Sequence, residues 1–125
     1  MAGSSFTSLD THETKITAAL EDGVLRIAMS GIVGLRDPAA VFDPYWDDLD
    51  KALRRERVTQ VELDLSGLEF MNSSGIMTLV RWMLKVRAAP AYGIVVRYDS
   101  NLTWQKTNVP VLAKLAPEVV RVATP

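Results

Sequence analysis

Apolar and polar side chains alternate over three short stretches in the first half of the chain, which is the pattern of half-buried β-strands. Lys15–Leu20 and Val24–Met29 flank Asp22-Gly23, a dipeptide that supplies the positive φ angles of a tight hairpin turn. Val58–Leu65 shows the clearest alternation and predicts a central strand. Two short apolar runs near the end of the chain predict further strands, Gly93–Tyr98 and Val119–Val122.

Apolar residues recur with helical spacing in three later segments. Asp43-Pro44 predicts the start of the first helix, because Asp caps free N–H groups and Pro at the first helical position loses no hydrogen bond. The second helix is expected to begin near Ser73 and to end at Ala89-Pro90. The third, Asn101–Leu115, is expected to be interrupted at Thr107-Asn108.

The predicted order of elements is β-β-α-β-α-β-α-β. Strands that alternate with helices indicate an α/β fold with a mixed sheet, in which right-handed crossovers join parallel strands. The segment Ser30–Phe42 joins the hairpin to the first helix and is expected to be irregular, because Gly31 and Gly34 break regular structure. Asp37-Pro38 within it offers an alternative start for a short turn of helix, less clear than Asp43-Pro44. In such sheets functional sites collect where strand ends lead into helix starts. The strongest junction of this kind is Leu65–Gly75.

The composition is that of an ordinary single domain. The chain has 125 residues, of which 48% are hydrophobic and 23% charged, and its net charge of -1 argues against a broad basic surface for nucleic acid. It has no cysteine, which excludes disulfides and thiolate metal sites. Residues 1–13 are expected to form a flexible N-terminus, and residues 14–125 a single domain. We expect neither a signal peptide nor direct membrane insertion. We expect a cytoplasmic location.

The segment Val61–Ile76 resembles the core motif of STAS domains, the family that includes bacterial anti-sigma-factor antagonists. It contains an apolar strand, the turn Ser66-Gly67, apolar residues up to Met71, and then Asn72-Ser73-Ser74-Gly75 at the start of a helix. The resemblance extends over about Lys15–Val122. It implies a STAS-like mixed β-sheet with an N-terminal hairpin and with helices packed mainly on one face.

The resemblance also implies a regulatory role in a partner-switching pathway that controls transcription. In such pathways a serine kinase, which is also the anti-sigma factor, phosphorylates one serine of the antagonist, and a phosphatase reverses the modification. By residue match the acceptor is Ser73, and Ser74 is the less favoured alternative. Homodimerisation is compatible with this interpretation. The surface expected to bind the partner consists of Asn72, Ser73, Ser74, Gly75, Met77, Thr78, Arg81 and Trp82.

One residue of the motif departs from the family pattern. Asn72 stands where phosphorylated members typically have Asp. Asn caps a helix as well as Asp does, but it supplies no negative charge. An alternative therefore stays open, in which the protein is an unphosphorylated STAS scaffold or a STAS-like subunit of a lipid transport complex.

The sequence offers little for catalysis. The single histidine, His12, lies in the predicted flexible N-terminus, and no Gly-x-Ser-x-Gly elbow occurs. A hydrolase that uses Ser73 lacks a visible base. The acidic residues after Phe42 suit the dipole of a helix start better than a metal site. We therefore expect a non-enzymatic protein with no catalytic residue, no metal and no cofactor.

Overall fold

The computed structural model describes residues 6–11 and 13–123, and within them the chain forms one six-stranded sheet and three helices. In chain order the elements are β1 (Leu9–Asp10), β2 (Thr14–Glu21), β3 (Val24–Val33), α1 (Pro38–Arg55), β4 (Gln60–Met71), α2 (Ser73–Ala88), β5 (Gly93–Arg97), α3 (Thr103–Leu115) and β6 (Val120–Ala123). The strands follow one another in the sheet in the same order. β1, β2 and β3 pair antiparallel, and the pairs from β3 to β6 are parallel.

The helices pack mainly on one face of the sheet, because only one face of each strand is buried. Ile27, Leu63 and Val96 are neighbours in register, and all three are buried in the apolar core. Arg26 and Glu62 point to the opposite face, where they form an ion pair at 2.8 Å. Buried side chains of the three helices belong to the same core. The predicted α/β class, a STAS-like mixed sheet with an N-terminal hairpin, is confirmed.

The predicted hairpin turn is present. Asp22 and Gly23 have φ angles of 53° and 80°, the left-handed backbone that the Asp-Gly dipeptide indicates. The strands beside the turn pair from Glu21↔Val24 to Thr14↔Gly31.

Strands β3 and β4 are longer than the alternation predicts. The prediction of an irregular start at Ser30 is wrong, because β3 continues to Val33 through Gly31, which has a φ of 93°. The β3–β4 pairing shifts register twice near this glycine, so that the ladder bends and continues to Val33↔Met71. A bulge of this kind accommodates an extra residue without ending the strand.

Helix α1 begins at Pro38 rather than at Asp43-Pro44, so the predicted start is wrong. Pro38 occupies the first turn after Asp37, where a missing N–H group costs the helix no hydrogen bond. Pro44 lies inside the helix, where it cannot donate to the carbonyl oxygen of Ala40. Both Ala40 and Pro44 are exposed, so water can satisfy that carbonyl, while the first two turns bury Phe42.

Helix α3 is continuous, so the interruption predicted at Thr107-Asn108 is wrong. Asn108 donates from its side-chain amide to the carbonyl oxygen of Trp104 at 2.7 Å. The helix buries Gln105, Val109 and Leu112 on one face, and this packing outweighs the low helix propensity of its middle.

The described part of the first thirteen residues is packed rather than free. Phe6 is buried, and Leu9 pairs with Ile16 in the sheet. The hydroxyl of Tyr45 donates to the carbonyl oxygen of Thr7 at 2.8 Å. The rest of the predicted flexible N-terminus, residues 1–5 and the single histidine at position 12, lies outside the described residues.

Candidate functional site

The junction between β4 and α2 is organised by Asn72. Its Oδ1 accepts a hydrogen bond from the backbone N–H of Gly75 at 2.8 Å, which caps α2 as predicted. Its Nδ2 donates to the carbonyl oxygen of Leu35 at 2.9 Å. The cap therefore also contacts the segment between β3 and α1, which the sequence pattern does not indicate.

Ser73 and Ser74 are the first two residues of α2, and both are exposed. Among the residues that the structure describes, neither hydroxyl makes a hydrogen bond. Their backbone N–H groups belong to the first turn, whose donors have no partner within the helix. The site thus presents two accessible hydroxyls above a partly positive helix end.

Gly75 is buried at the start of α2. A Cβ atom at this position would lie 2.9 Å from both Met71 Cγ and Val33 Cγ1. Glycine is required because these side chains of the same chain occupy the space. Gly75 is therefore a packing residue, and its assignment to a partner-binding surface stays a prediction.

Thr78 and Trp82 are buried, at 1% and 3% exposure, and their assignment to a partner-binding surface stays a prediction. Thr78 donates to the carbonyl oxygen of Gly75 at 2.7 Å and accepts from the indole N–H of Trp46 at 3.3 Å. The physical reason is the packing of α1, whose Trp46 covers this face of α2 and stacks on Trp82. These two buried residues pack α2 against α1 next to the site.

Met77 and Arg81 lie on the exposed side of α2, as predicted. Met77 is 47% exposed, and Arg81 forms an ion pair with Asp43 of α1 at 3.0 Å. Both side chains line a cleft of about 240 Å³ between the starts of α1 and α2. The other residues of the cleft are Arg36, Asp37, Pro38, Ala39 and Ser74.

A second ion pair follows the first along the two helices. Lys85 of α2 contacts Asp47 of α1, and its hydrogen bond to this carboxylate raises the pKa of the Lys85 amine. Together with the Arg81–Asp43 pair, it bridges the exposed edge between the two helices next to the site.

Two exposed apolar residues beside the serines were missed by the sequence analysis. Ile32 and Phe70 are direct neighbours in the β3–β4 ladder and are 38% and 47% exposed. Strict alternation from the buried Leu68 would place Phe70 inside, but the register shift turns it outward. The sequence feature that could have indicated this exposed pair is Phe70, a large aromatic residue two positions before the predicted cap, Asn72.

The backbone of Ile32 is held on both sides. Its N–H donates to the carbonyl oxygen of Glu13 at 2.9 Å, and its own carbonyl accepts from the Thr14 hydroxyl at 2.5 Å. The exposed pair of Ile32 and Phe70 therefore lies on a fixed part of the sheet.

Comparison with solved structures identifies the fold. An anti-sigma factor antagonist from Mycobacterium paratuberculosis superposes with a TM-score of 0.61 and 22% identity, over 87% of this chain and 88% of that one. The chain has a STAS-like fold. The activator SiaC, in its complex with diguanylate cyclase SiaD from Pseudomonas aeruginosa, matches this STAS-like chain with a TM-score of 0.58 and 19% identity, over 100% of this chain and 98% of that one.

The sequence itself matches no family model and no curated protein. Within residues 6–11 and 13–123, none of the STAS-like domain's helices is long and apolar enough to cross a membrane. The same residues contain no group of three or more His, Cys, Asp or Glu side chains placed to hold a metal ion.

Proposed function

We propose that this STAS-like protein is a non-enzymatic regulatory binding module, similar to an anti-sigma-factor antagonist in a partner-switching pathway. The observation that carries the proposal is the arrangement around Ser73 and Ser74. The two exposed hydroxyls at the start of α2 lie within four positions of the exposed residues Phe70 and Met77, and Phe70 pairs with the exposed Ile32 in the sheet. An exposed apolar patch with a polar rim is typical of a surface that binds another protein.

Phosphorylation of Ser73 is the proposed switch, with Ser74 as the less favoured acceptor. A phosphate adds a charge of about -1.5 to -2 at neutral pH. The free N–H groups of the first turn of α2 tolerate this charge, so the fold stays intact. The same charge next to Phe70 and Met77 disfavours docking of an apolar partner surface, since the phosphate would have to lose water.

The proposed partners are proteins of a cytoplasmic signalling pathway: a serine kinase of the anti-sigma type and a phosphatase. The two similar structures support binding to another protein, since one is an anti-sigma factor antagonist and the other is an activator in complex with a diguanylate cyclase. No cofactor, metal or nucleic acid is assigned to the protein, and homodimerisation is compatible with the proposal.

The phosphorylation step can be tested directly. The protein is incubated with its cognate kinase and ATP, and the modified residue is mapped by mass spectrometry. We expect phosphate on Ser73, its loss in Ser73→Ala, and its retention in Ser74→Ala, which is the matched control. Phosphate on neither serine, with a kinase that is active on another substrate, would contradict control by phosphorylation.

The binding surface can be tested by substituting exposed apolar residues that are equally accessible. Phe70, Met77 and Val111 are each 47% exposed, but Val111 lies on α3. A pull-down from the native host with and without ATP supplies the partner. We expect Phe70→Ser and Met77→Ser to weaken its binding at least about tenfold, as removal of an interface anchor does. Val111→Ser should bind normally, and equal losses in all three variants would contradict the assigned surface.

The second candidate keeps the fold without the phosphate. Asn72 supplies no negative charge beside Ser73, and this favours a constitutive STAS scaffold or a STAS-like subunit of a lipid transport complex. Ser73→Glu separates the two functions. The switch requires that this variant lose its partner, whereas normal binding would favour the constitutive scaffold.

A further inference from the structure

The side-chain amide of Asn72 makes two hydrogen bonds of opposite polarity. Its Oδ1 accepts from the backbone N–H of Gly75 at 2.8 Å, and its Nδ2 donates to the carbonyl oxygen of Leu35 at 2.9 Å. A carbonyl oxygen only accepts and a backbone N–H only donates. Both are therefore satisfied only by a side chain with one acceptor and one donor. An amide meets this requirement, and a carboxylate does not.

The bond to Leu35 connects distant parts of the chain. Leu35 lies in residues 34–37, between β3 and α1, and is 37 positions before Asn72. The backbone N–H of Asn72 also donates to the carbonyl oxygen of Val33 at 2.9 Å. Residue 72 thus holds the end of β3 and the following segment against the start of α2.

This segment forms one wall of the cleft beside Ser74. Arg36 and Asp37 line the cleft from residues 34–37, whereas Ser74 and Met77 line it from α2. Arg36 and Asp37 are exposed, so their positions depend on the backbone that carries them. An irregular segment with exposed side chains has few contacts of its own to define its path.

We propose that Asn72 is a positioning residue that aligns the two walls of this cleft through Leu35 and thereby selects the partner that fits them. The amide is then a requirement of this chain, and an acid at this position would not replace it. Asp would still cap α2, but its carboxylate would face the carbonyl oxygen of Leu35 without a proton to donate.

Asn72→Asp is the test variant, because Asp has nearly the same shape and caps a helix equally well. In the protein alone, we expect the NMR order parameters of the backbone N–H groups of residues 34–37 to fall from about 0.85 to below about 0.6 in N72D, because the segment loses the bond that holds it. The order parameters of α2 from Ile76 to Val80 should stay as in the wild type. Affinity for the partner captured by the wild-type protein should fall at least about tenfold.

Acidification provides a readout that a general loss of structure would not produce. Below the ordinary Asp pKa of about 3.9, the carboxyl group introduced in N72D is protonated and again offers a donor. We expect the backbone amide signal of Arg36 in its NMR spectrum to return towards the wild-type position over this range. Because Asp37 follows Arg36 in both proteins, the readout is the difference between the Arg36 signals of N72D and the wild type at each pH, and this difference should shrink as the pH falls.

Several outcomes would overturn the proposal. Unchanged order parameters of residues 34–37 in N72D would refute the role of the Leu35 bond. Lower order parameters with unchanged partner affinity would refute partner selection, and an equal decrease throughout α2 would show that only the cap matters. If N72D does not fold, Asn72→Ser gives the order-parameter and affinity readouts, since Ser caps a helix through its one hydroxyl and has no second polar atom for Leu35.

Because partner selection rests on the function proposed above, the two parts of the test are separable. A wild-type protein that binds no partner would refute the proposed function and, with it, partner selection. The order parameters of residues 34–37 are measured on the protein alone, so they decide the role of the Leu35 bond in either case.

Discussion

The indole rings of Trp46 and Trp82 stack in parallel, with centroids 4.6 Å apart and planes 6° apart. One ring belongs to α1 and the other to α2, so the stack joins the two helices beneath the candidate site. Trp46 is connected to the first turn of α2 through Thr78, and Trp82 donates its indole N–H to the hydroxyl of Tyr92 at 2.9 Å. The site therefore lies on a rigid base of buried aromatic residues.

Tyr92→Phe should destabilise the protein by about 1–3 kcal/mol, the cost of leaving buried polar groups without a partner. The Tyr92 hydroxyl donates to Asp50 Oδ1 at 2.5 Å and accepts from the Trp82 indole, and the variant loses both bonds. Urea denaturation measures the free energy of unfolding. Tyr98→Phe is the control, because the side chain of Tyr98 is also largely buried, while its hydroxyl makes no hydrogen bond among the described residues and is open to solvent. Equal losses in the two variants would show that the network contributes nothing specific.

Stability should decrease between about pH 10 and pH 12. Burial raises the pKa of Tyr45 to about 12, and burial together with the hydrogen bond to Asp50 raises that of Tyr92. An unfolded tyrosine titrates near 10. The folded state therefore binds more protons above pH 10, and the stabilisation present below that pH is lost as the folded groups ionise. In Tyr45→Phe, unfolding free energy measured against pH should fall less steeply; an identical slope would exclude Tyr45 as a contributor.

Gly31→Ala should be more destabilising than Gly23→Ala. Both glycines have positive φ angles, so each alanine variant loses about 1–2 kcal/mol to backbone strain. A Cβ atom at Gly31 would also lie 2.0 Å from the carbonyl oxygen of Glu13, whereas one at Gly23 has nothing within 4 Å. Overpacking of this kind costs a further 1–3 kcal/mol, roughly. Thermal unfolding compares the variants, and equal melting temperatures would contradict the close approach of Glu13.

Gln105→Leu should destabilise the protein by about 2 kcal/mol or more, because it leaves the Leu65 carbonyl and the Asp99 N–H without a partner, while the Leu68 carbonyl keeps the Trp104 indole N–H at 3.1 Å. Its side chain is fully buried, donates to the carbonyl oxygens of Leu65 and Leu68 at 2.6 and 2.9 Å, and accepts from the N–H of Asp99 at 2.7 Å. Urea denaturation again provides the measurement. Lys106→Leu, at the exposed neighbouring position, should change the free energy by no more than about 0.5 kcal/mol. A small effect at Gln105 would mean that water replaces its bonds.

The elements that formed as predicted are those whose signal is local. The Asp22-Gly23 turn and the start of α2 at Ser73 depend on backbone preferences and on a cap within a few residues. The order of the predicted strands and helices was sufficient for the α/β class. Where local preference and packing disagreed, packing prevailed: α1 continues through Pro44 and α3 through Asn108, because each helix buries an apolar face along its whole length.

The sequence by itself determined that Asn72, Ser73 and Ser74 stand at the start of a helix behind a central strand. Only the tertiary structure decided which residues around them are accessible. Thr78 and Trp82 are buried because α1 packs over them. Phe70 is exposed because a register shift in the β3–β4 ladder turns its side chain away from the core. The second hydrogen bond of Asn72 likewise exists only because folding brings the carbonyl group of residue 35 to a side chain that is distant in the chain.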